Sequence, residues 1–186
     1  MLKGENKKAE AGFDYCVSCQ RKKVRDNNYD HSPDPDDLAL MGMALDWQAQ
    51  FYLSRHNLLR AESIWREAVE IGKKIHGDDD EQVLVVRNSL ATVISMQEGR
   101  ENEAANILEE LVKKASEINS SMITTFLVNL GLVKIKQGMF VEAKIDCDRA
   151  KNLADAGGDQ EVVTEAEQCL QQVKTLFTAA SSVKTK

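Results

Sequence analysis

Apolar residues recur along this chain at helical spacing. The clearest stretch places Val162, Val163, Ala166, Cys169, Leu170, Val173 and Phe177 in one stripe, with Glu165, Glu167, Gln168, Gln171 and Gln172 outside it, the pattern of a helix that buries one face. Reading the chain in this way predicts helices at about 3–22, 37–55, 58–75, 80–98, 101–117, 121–137, 140–156 and 160–178. Boundary residues agree with that map: Asp36 or Asp37, Asp79 or Asp80, Ser120 and Asp159 can each accept from orphan backbone N–H groups, and Gly157-Gly158 can end a helix in a left-handed turn. The stretch 25–37 is acidic, polar and interrupted by Pro33 and Pro35, so it reads as a surface loop. Residues 179–186 have no apolar stripe to dock and read as a disordered tail.

One pattern recurs four times: a turn residue, then alanine five positions on, a bulky residue four further, and a small or apolar residue three beyond that. Its copies are Gly4, Ala9, Phe13 and Cys16; His56, Ala61, Trp65 and Ala68; Gly99, Ala104, Leu108 and Leu111; and Gly138, Ala143, Cys147 and Ala150. The fourth is the fullest, because Leu127, Leu130, Gly131 and Phe140 also stand where a helix-turn-helix repeat needs them. This is the tetratricopeptide signature, in which a small residue lets the second helix approach the first and a bulky one fills the gap toward the next repeat. The expected fold is therefore all-α: a right-handed superhelical array of about three complete repeats over 38–178, closed by a carboxy-terminal capping helix. Residues 1–24 supply only the second helix of a pair. Met1 accordingly reads as a truncation or gene-model boundary, and Phe13, Val17 and Tyr15 are expected to be partly exposed, favouring self-association through this orphan helix.

Composition narrows the function. Among 186 residues, 24 basic and 30 acidic side chains give a net charge of −6, which disfavours nucleic acid or an anionic membrane as partner. No apolar run reaches the roughly 18 residues of a membrane span, so this segment is not expected to insert directly, and its first residues carry no export or import signal. Two prolines and ten glycines leave little punctuation for a sandwich or barrel. Cys16 and Cys19 form a C-x-x-C inside a helix with no second such pair, and Cys147 and Cys169 fall on core positions; all four read as buried packing thiols of a reducing compartment. His31, His56 and His76 lack zinc spacing, and the acidic runs 34–37 and 78–81 lack the alternation and central glycine of a calcium loop. No catalytic set, metal site or cofactor loop can be assembled, so an enzyme is not expected.

A repeat array does offer a concave face lined by the first helix of each pair. On it fall Asp46, Trp47 and Gln50, then Asn88 and Ser89, then Asn129 and Leu132. An asparagine amide can both donate to and accept from an extended peptide, and an exposed Trp47 is a usual anchor type. Lys134 and Lys136 are the nearest basic pair for gripping a terminal carboxylate, as a chaperone-tail clamp would need.

The stretch from Arg60 to Gly77, with Asn88-Ser-Leu-Ala-Thr, Glu98-Gly-Arg-Glu-Asn-Glu-Ala104 and Asn129-Leu-Gly, resembles the carboxy-terminal repeats of the mitochondrial tetratricopeptide repeat protein 19 family. The first helix and the acidic loop after it fit the same order, so the resemblance covers about residues 4–176. It implies a non-enzymatic factor of the mitochondrial inner membrane that associates with respiratory complex III and supports its assembly and upkeep, including turnover around the Rieske iron-sulfur subunit. The presequence, membrane segment and upstream repeats of that family do not occur in this chain. Leu90 to Gly99 is one residue longer than the usual interval, which predicts a bulge or longer turn near Met96 to Glu98, and Cys147 stands where a larger residue is usual. The alternative is a cytoplasmic cargo adaptor similar to kinesin light chains, which share repeats of this length but carry a His-Pro turn where this chain has Asp78-Asp-Asp-Glu81.

Overall fold

A computed structural model describes the backbone of residues 2–26 and 34–183 and the side chains of residues 7–25 and 34–178. Among the described residues the chain forms eight α-helices: α1 (Leu2–Asp26), α2 (Pro35–Ser54), α3 (Leu58–His76), α4 (Glu81–Ser95), α5 (Glu101–Glu117), α6 (Ile123–Lys136), α7 (Phe140–Gly157) and α8 (Gln160–Val183). Three ends depart from the sequence reading by more than two residues. Helix α1 runs on through Lys23 and Arg25, cations that suit the negative end of a helix dipole. Helix α4 stops at Ser95, where a tight turn takes up the extra residue of the interval: the Gln97 N–H donates to the Ile94 carbonyl at 3.0 Å and the Arg100 N–H to that of Gln97 at 3.2 Å. Helix α8 continues to Val183, so 179–183 are helical rather than part of a disordered tail.

Of the loop expected at 25–37, residues 25–26 and 35–37 are helical. Residues 27–33, with His31, lie outside the described residues, while both flanks are helical. The cap of α2 is Asp34, not Asp36 or Asp37: its carboxylate accepts from the Asp36 N–H at 2.9 Å. Pro35 explains the shift, since a proline at the first helical position lacks only an N–H that would be orphaned anyway. Asp37 is buried instead and pairs with Lys23 of α1. Asp80 and Asp159 cap as expected, accepting from the N–H groups of Gln82 at 2.9 Å and Val162 at 3.2 Å. Ser120 accepts from the Met122 N–H at 3.1 Å. His56 takes the turn position that Gly99 and Gly138 hold in later copies, with a φ of 56°.

The helices divide into two compact units, Met1–Val93 and Ile94–Lys186, with the division inside α4. In the first, α2 and α3 pack as a pair whose interior includes Leu45, Ala49, Ala61 and Trp65. Helix α1 lies on α2, where the ring of Phe13 meets that of Phe51 at 5.3 Å. Val17 is fully buried, against the expectation of partial exposure; it lies on the same line of α1 as the half-buried Phe13 and Gln20. Only Tyr15 of the three predicted residues stands in solvent. Polar ties complete the seat: Gln48 donates to Asp14 at 2.7 Å, the Tyr52 hydroxyl to Glu10 at 3.0 Å, and Arg21 grips Glu67 of α3 through both carboxylate oxygens.

In the second unit α6 packs against α5, α7 and α8, so α8 caps its helical pair as expected. Gly131 of α6 is a fully enclosed position where a Cβ would run into Cys147 Sγ, with Cys169 Sγ at 3.1 Å and the Ala143 carbonyl at 3.3 Å. Cys147 and Cys169 are joined in a disulfide that ties α7 to α8, with Cα atoms 6.2 Å apart, rather than remaining separate thiols. Cys16 and Cys19 also depart from the packing role: both are free and exposed.

Candidate functional site

The candidate surface of the first unit is built from α2 upward. A half-buried Asp46 accepts from the Trp65 indole N–H at 2.8 Å on one oxygen and from the Gln50 amide, one turn on, at 2.6 Å on the other. Trp65 is buried, so Asp46 supplies the acceptor that its N–H needs away from water. Both predicted polar residues are thereby committed to the fold. Trp47, next to Asp46, is 56% exposed.

Beneath Trp47 lies a hollow of about 420 Å³ between α2, α3 and α4. Gly42, Met43 and Trp47 form its α2 side, Ile71 and Gly72 its floor on α3, and Val83 and Val86 its α4 side, with Asp46, His76 and Gln82 contributing polar groups. Two glycines shape it. A Cβ on Gly72 would stand 3.1 Å from Val83, so its absence lets α3 and α4 approach, whereas Gly42 faces open space. An aromatic rim over a concave apolar floor with sparse polar groups is a surface that receives a side chain from another molecule.

Sequence reasoning found Trp47 but missed Gly42, Met43 and Gly72. A signal existed, since an isolated glycine inside a helical run usually has a packing or functional reason. Asn88 and Ser89 lie on α4 of the same unit, both half-buried and outside the hollow's lining; the Ser89 hydroxyl turns back toward the Val85 carbonyl at 3.4 Å. Asn129 and Leu132 belong to α6 of the second unit. Asn129 is half-buried, and Leu132 packs against the cluster of Ile135, Ala143, Cys147, Cys169 and Val173. The two lysines considered for a carboxylate clamp are engaged within their own unit. Lys134 pairs with Asp146 at 2.7 Å and Glu109 at 3.6 Å, and Lys136 donates to the Ser95 carbonyl at 2.7 Å. Among the described residues no group of three or more His, Cys, Asp or Glu side chains is placed to hold a metal ion, and no helix is long and apolar enough to cross a membrane.

The family model for the tetratricopeptide repeat matches residues 40–117, the stretch that contains the hollow. The helices within that stretch match the tetratricopeptide repeat. It is 26% identical over 176 residues, 94% of its length, to the mitochondrial tetratricopeptide repeat protein 19 homolog of Drosophila melanogaster, and 26% identical over 142 residues to the human mitochondrial protein of that name. It spans 46% and 37% of those two relatives, less than half of either. Among solved structures, a kinesin light chain of Podosopora anserina with nearly identical TPR-like repeats matches 96% of this chain and 90% of its own, at a TM-score of 0.62 and 16% identity. BtubC from P. vanneervenii matches 94% of this chain and 76% of its own, at a TM-score of 0.60 and 17% identity. At such identities these two structures speak for the fold.

Proposed function

We propose that this repeat chain is a non-enzymatic docking scaffold of mitochondria that acts at the inner membrane on respiratory complex III, supporting its assembly and upkeep, including turnover around the Rieske iron-sulfur subunit. The observation that carries the mitochondrial part is the similarity to tetratricopeptide repeat protein 19 over nearly the whole chain. The hollow under Trp47 supports a role in protein binding, since it offers an apolar seat beside an aromatic anchor on a rigid helical pair. In this reading Trp47, Gly42 and Met43 receive a partner side chain, while Asp46 and Gln50 hold the rim in place.

The test is to express the full open reading frame with a carboxy-terminal tag in its own cells, fractionate them, and isolate the tagged protein under native conditions. Recovery from mitochondrial inner membranes together with complex III subunits is the expected result. Recovery from the cytosol with motor or chaperone proteins overturns it in favour of the kinesin-light-chain type of adaptor.

A further inference from the structure

One row of α2 stands in solvent along the mouth of the hollow. Leu40, Met43 and Trp47 follow one another at intervals of three and four, which sets them on a single line of the helix over about 10 Å, and each is about half exposed. Asp36, one turn before Leu40, continues that line into the first turn of α2 and is also exposed. His76 ends α3 and Gln82 lies in the first turn of α4; both line the hollow, so the turn between them, residues 77–80, borders it. That border is acidic. Asp78, Asp79 and Glu81 are exposed and Asp80 is half-buried.

The cations of this region do not balance it. Helix α2 carries Asp36, Asp37 and Asp46 and no basic residue. Lys73 is held by Asp78 at 2.8 Å, neither Lys73 nor Lys74 lines the hollow, and Arg87 of α4 is buried. We infer that this row receives an amphipathic helix of the partner protein, its apolar face on Leu40, Met43 and Trp47 and its Lys or Arg residues at the end that lies over Asp36 and the 78–81 turn. A helix offers apolar side chains at the matching intervals i, i+3 or i+4 and i+7, one of which enters the hollow beside Trp47. The carboxylates fix which end lies where and reject an acidic helix that would fit the apolar row equally well. The inference rests on the hollow being a docking surface and adds the chemistry of what docks there.

The test uses two synthetic amphipathic helices that share one row of leucines at i, i+3 and i+7; one ends in lysines, the other in glutamates at the same positions. Their binding to the 186-residue chain is read by fluorescence anisotropy. The lysine-ended peptide should bind at least about tenfold more tightly, and the difference should shrink as salt screens the exposed charges. The double variant Asp36→Asn, Asp79→Asn changes two exposed positions; it should keep the wild-type melting curve and lose most of that preference. Gly42→Leu fills the hollow while leaving every carboxylate in place, and it should weaken the lysine-ended peptide by a similar factor. Equal binding of the two peptides to the wild type, with both lost in Gly42→Leu, overturns the basic partner and leaves the docking surface standing. A lysine-ended peptide that binds Gly42→Leu as tightly as the wild type is held by net charge alone and overturns both, as does a wild type that binds neither peptide.

Discussion

The indole N–H of Trp65 donates to Asp46 at 2.8 Å, joining a buried residue of α3 to the rim of the hollow on α2. The carboxylate is therefore a structural acceptor as much as a surface group. Asp46→Ala should cost about 1–3 kcal/mol in chemical denaturation, because it strands a buried donor. Asp46→Asn retains a carbonyl acceptor and should cost less. Equal stability of wild type and Asp46→Ala would show that the indole finds another partner.

Gly131 leaves the space that the two sulfurs of α7 and α8 occupy. Gly131→Ala should destabilise the second unit by about 1–3 kcal/mol through overpacking, although alanine is the better helix former. A denaturation midpoint at or above that of the wild type would contradict this packing.

The Cys147–Cys169 bond closes a separation of 22 residues, for which the chain-entropy relation gives about 3 kcal/mol. Melting should therefore fall when a reductant is added. The double variant Cys147→Ala, Cys169→Ala should melt below the oxidised wild type and lose its response to reductant. Identical wild-type curves with and without reductant would remove the tie from the account.

Tyr52 has its pKa raised above 10.0, first by burial and then by the hydrogen bond to Glu10 and the nearby charge of Asp14, with Arg60 over its ring opposing. A raised pKa favours the neutral phenol in the folded state. Its contribution is complete below the ordinary tyrosine value and is lost as pH rises through the folded value. Tyr52→Phe should cost about 1 kcal/mol at neutral pH, from the lost hydrogen bond, and should flatten the alkaline fall in stability. An unchanged alkaline slope in the variant would assign that fall to other groups.

The helices were legible because each buries a face at a period of three or four, and the starts of α4 and α8 because Asp80 and Asp159 cap where local chemistry requires, whereas Ser120 holds the turn before α6, whose N-cap is Met122 without a side-chain bond. Asp34 was missed because two further aspartates, Asp36 and Asp37, follow it and could serve equally, and only the placement of Pro35 decides among such neighbours. The thiols were misread for a related reason. Helical spacing puts Cys16 at the position of Ala150 in the fourth copy, but it says nothing of whether a neighbouring helix covers it, and Ala150 is buried whereas Cys16 is exposed. Trp47 stood out by residue type, whereas the hollow below it depends on two side chains that are missing, at Gly42 and Gly72. Asn129, chosen on the same grounds as Trp47, is half-buried. Asn129→Ala and Trp47→Ala are each expected to change stability by no more than about 1 kcal/mol.

Gly42 gives the most direct test of the docking surface. A side chain there meets open space, and replacing a glycine inside a helix with a better helix former stabilises it by up to about 1 kcal/mol. Gly42→Leu should thus keep or raise the melting temperature while filling the hollow, and Trp47→Ala should remove the rim. The measurement is the amount of complex III retained from detergent-solubilised inner membranes by equal quantities of immobilised wild type, Gly42→Leu and Trp47→Ala. Retention by the wild type, with a fall of about tenfold in both variants, is the predicted result. Equal retention by all three would place the contact elsewhere on the chain, and no retention by the wild type would contradict complex III as its partner.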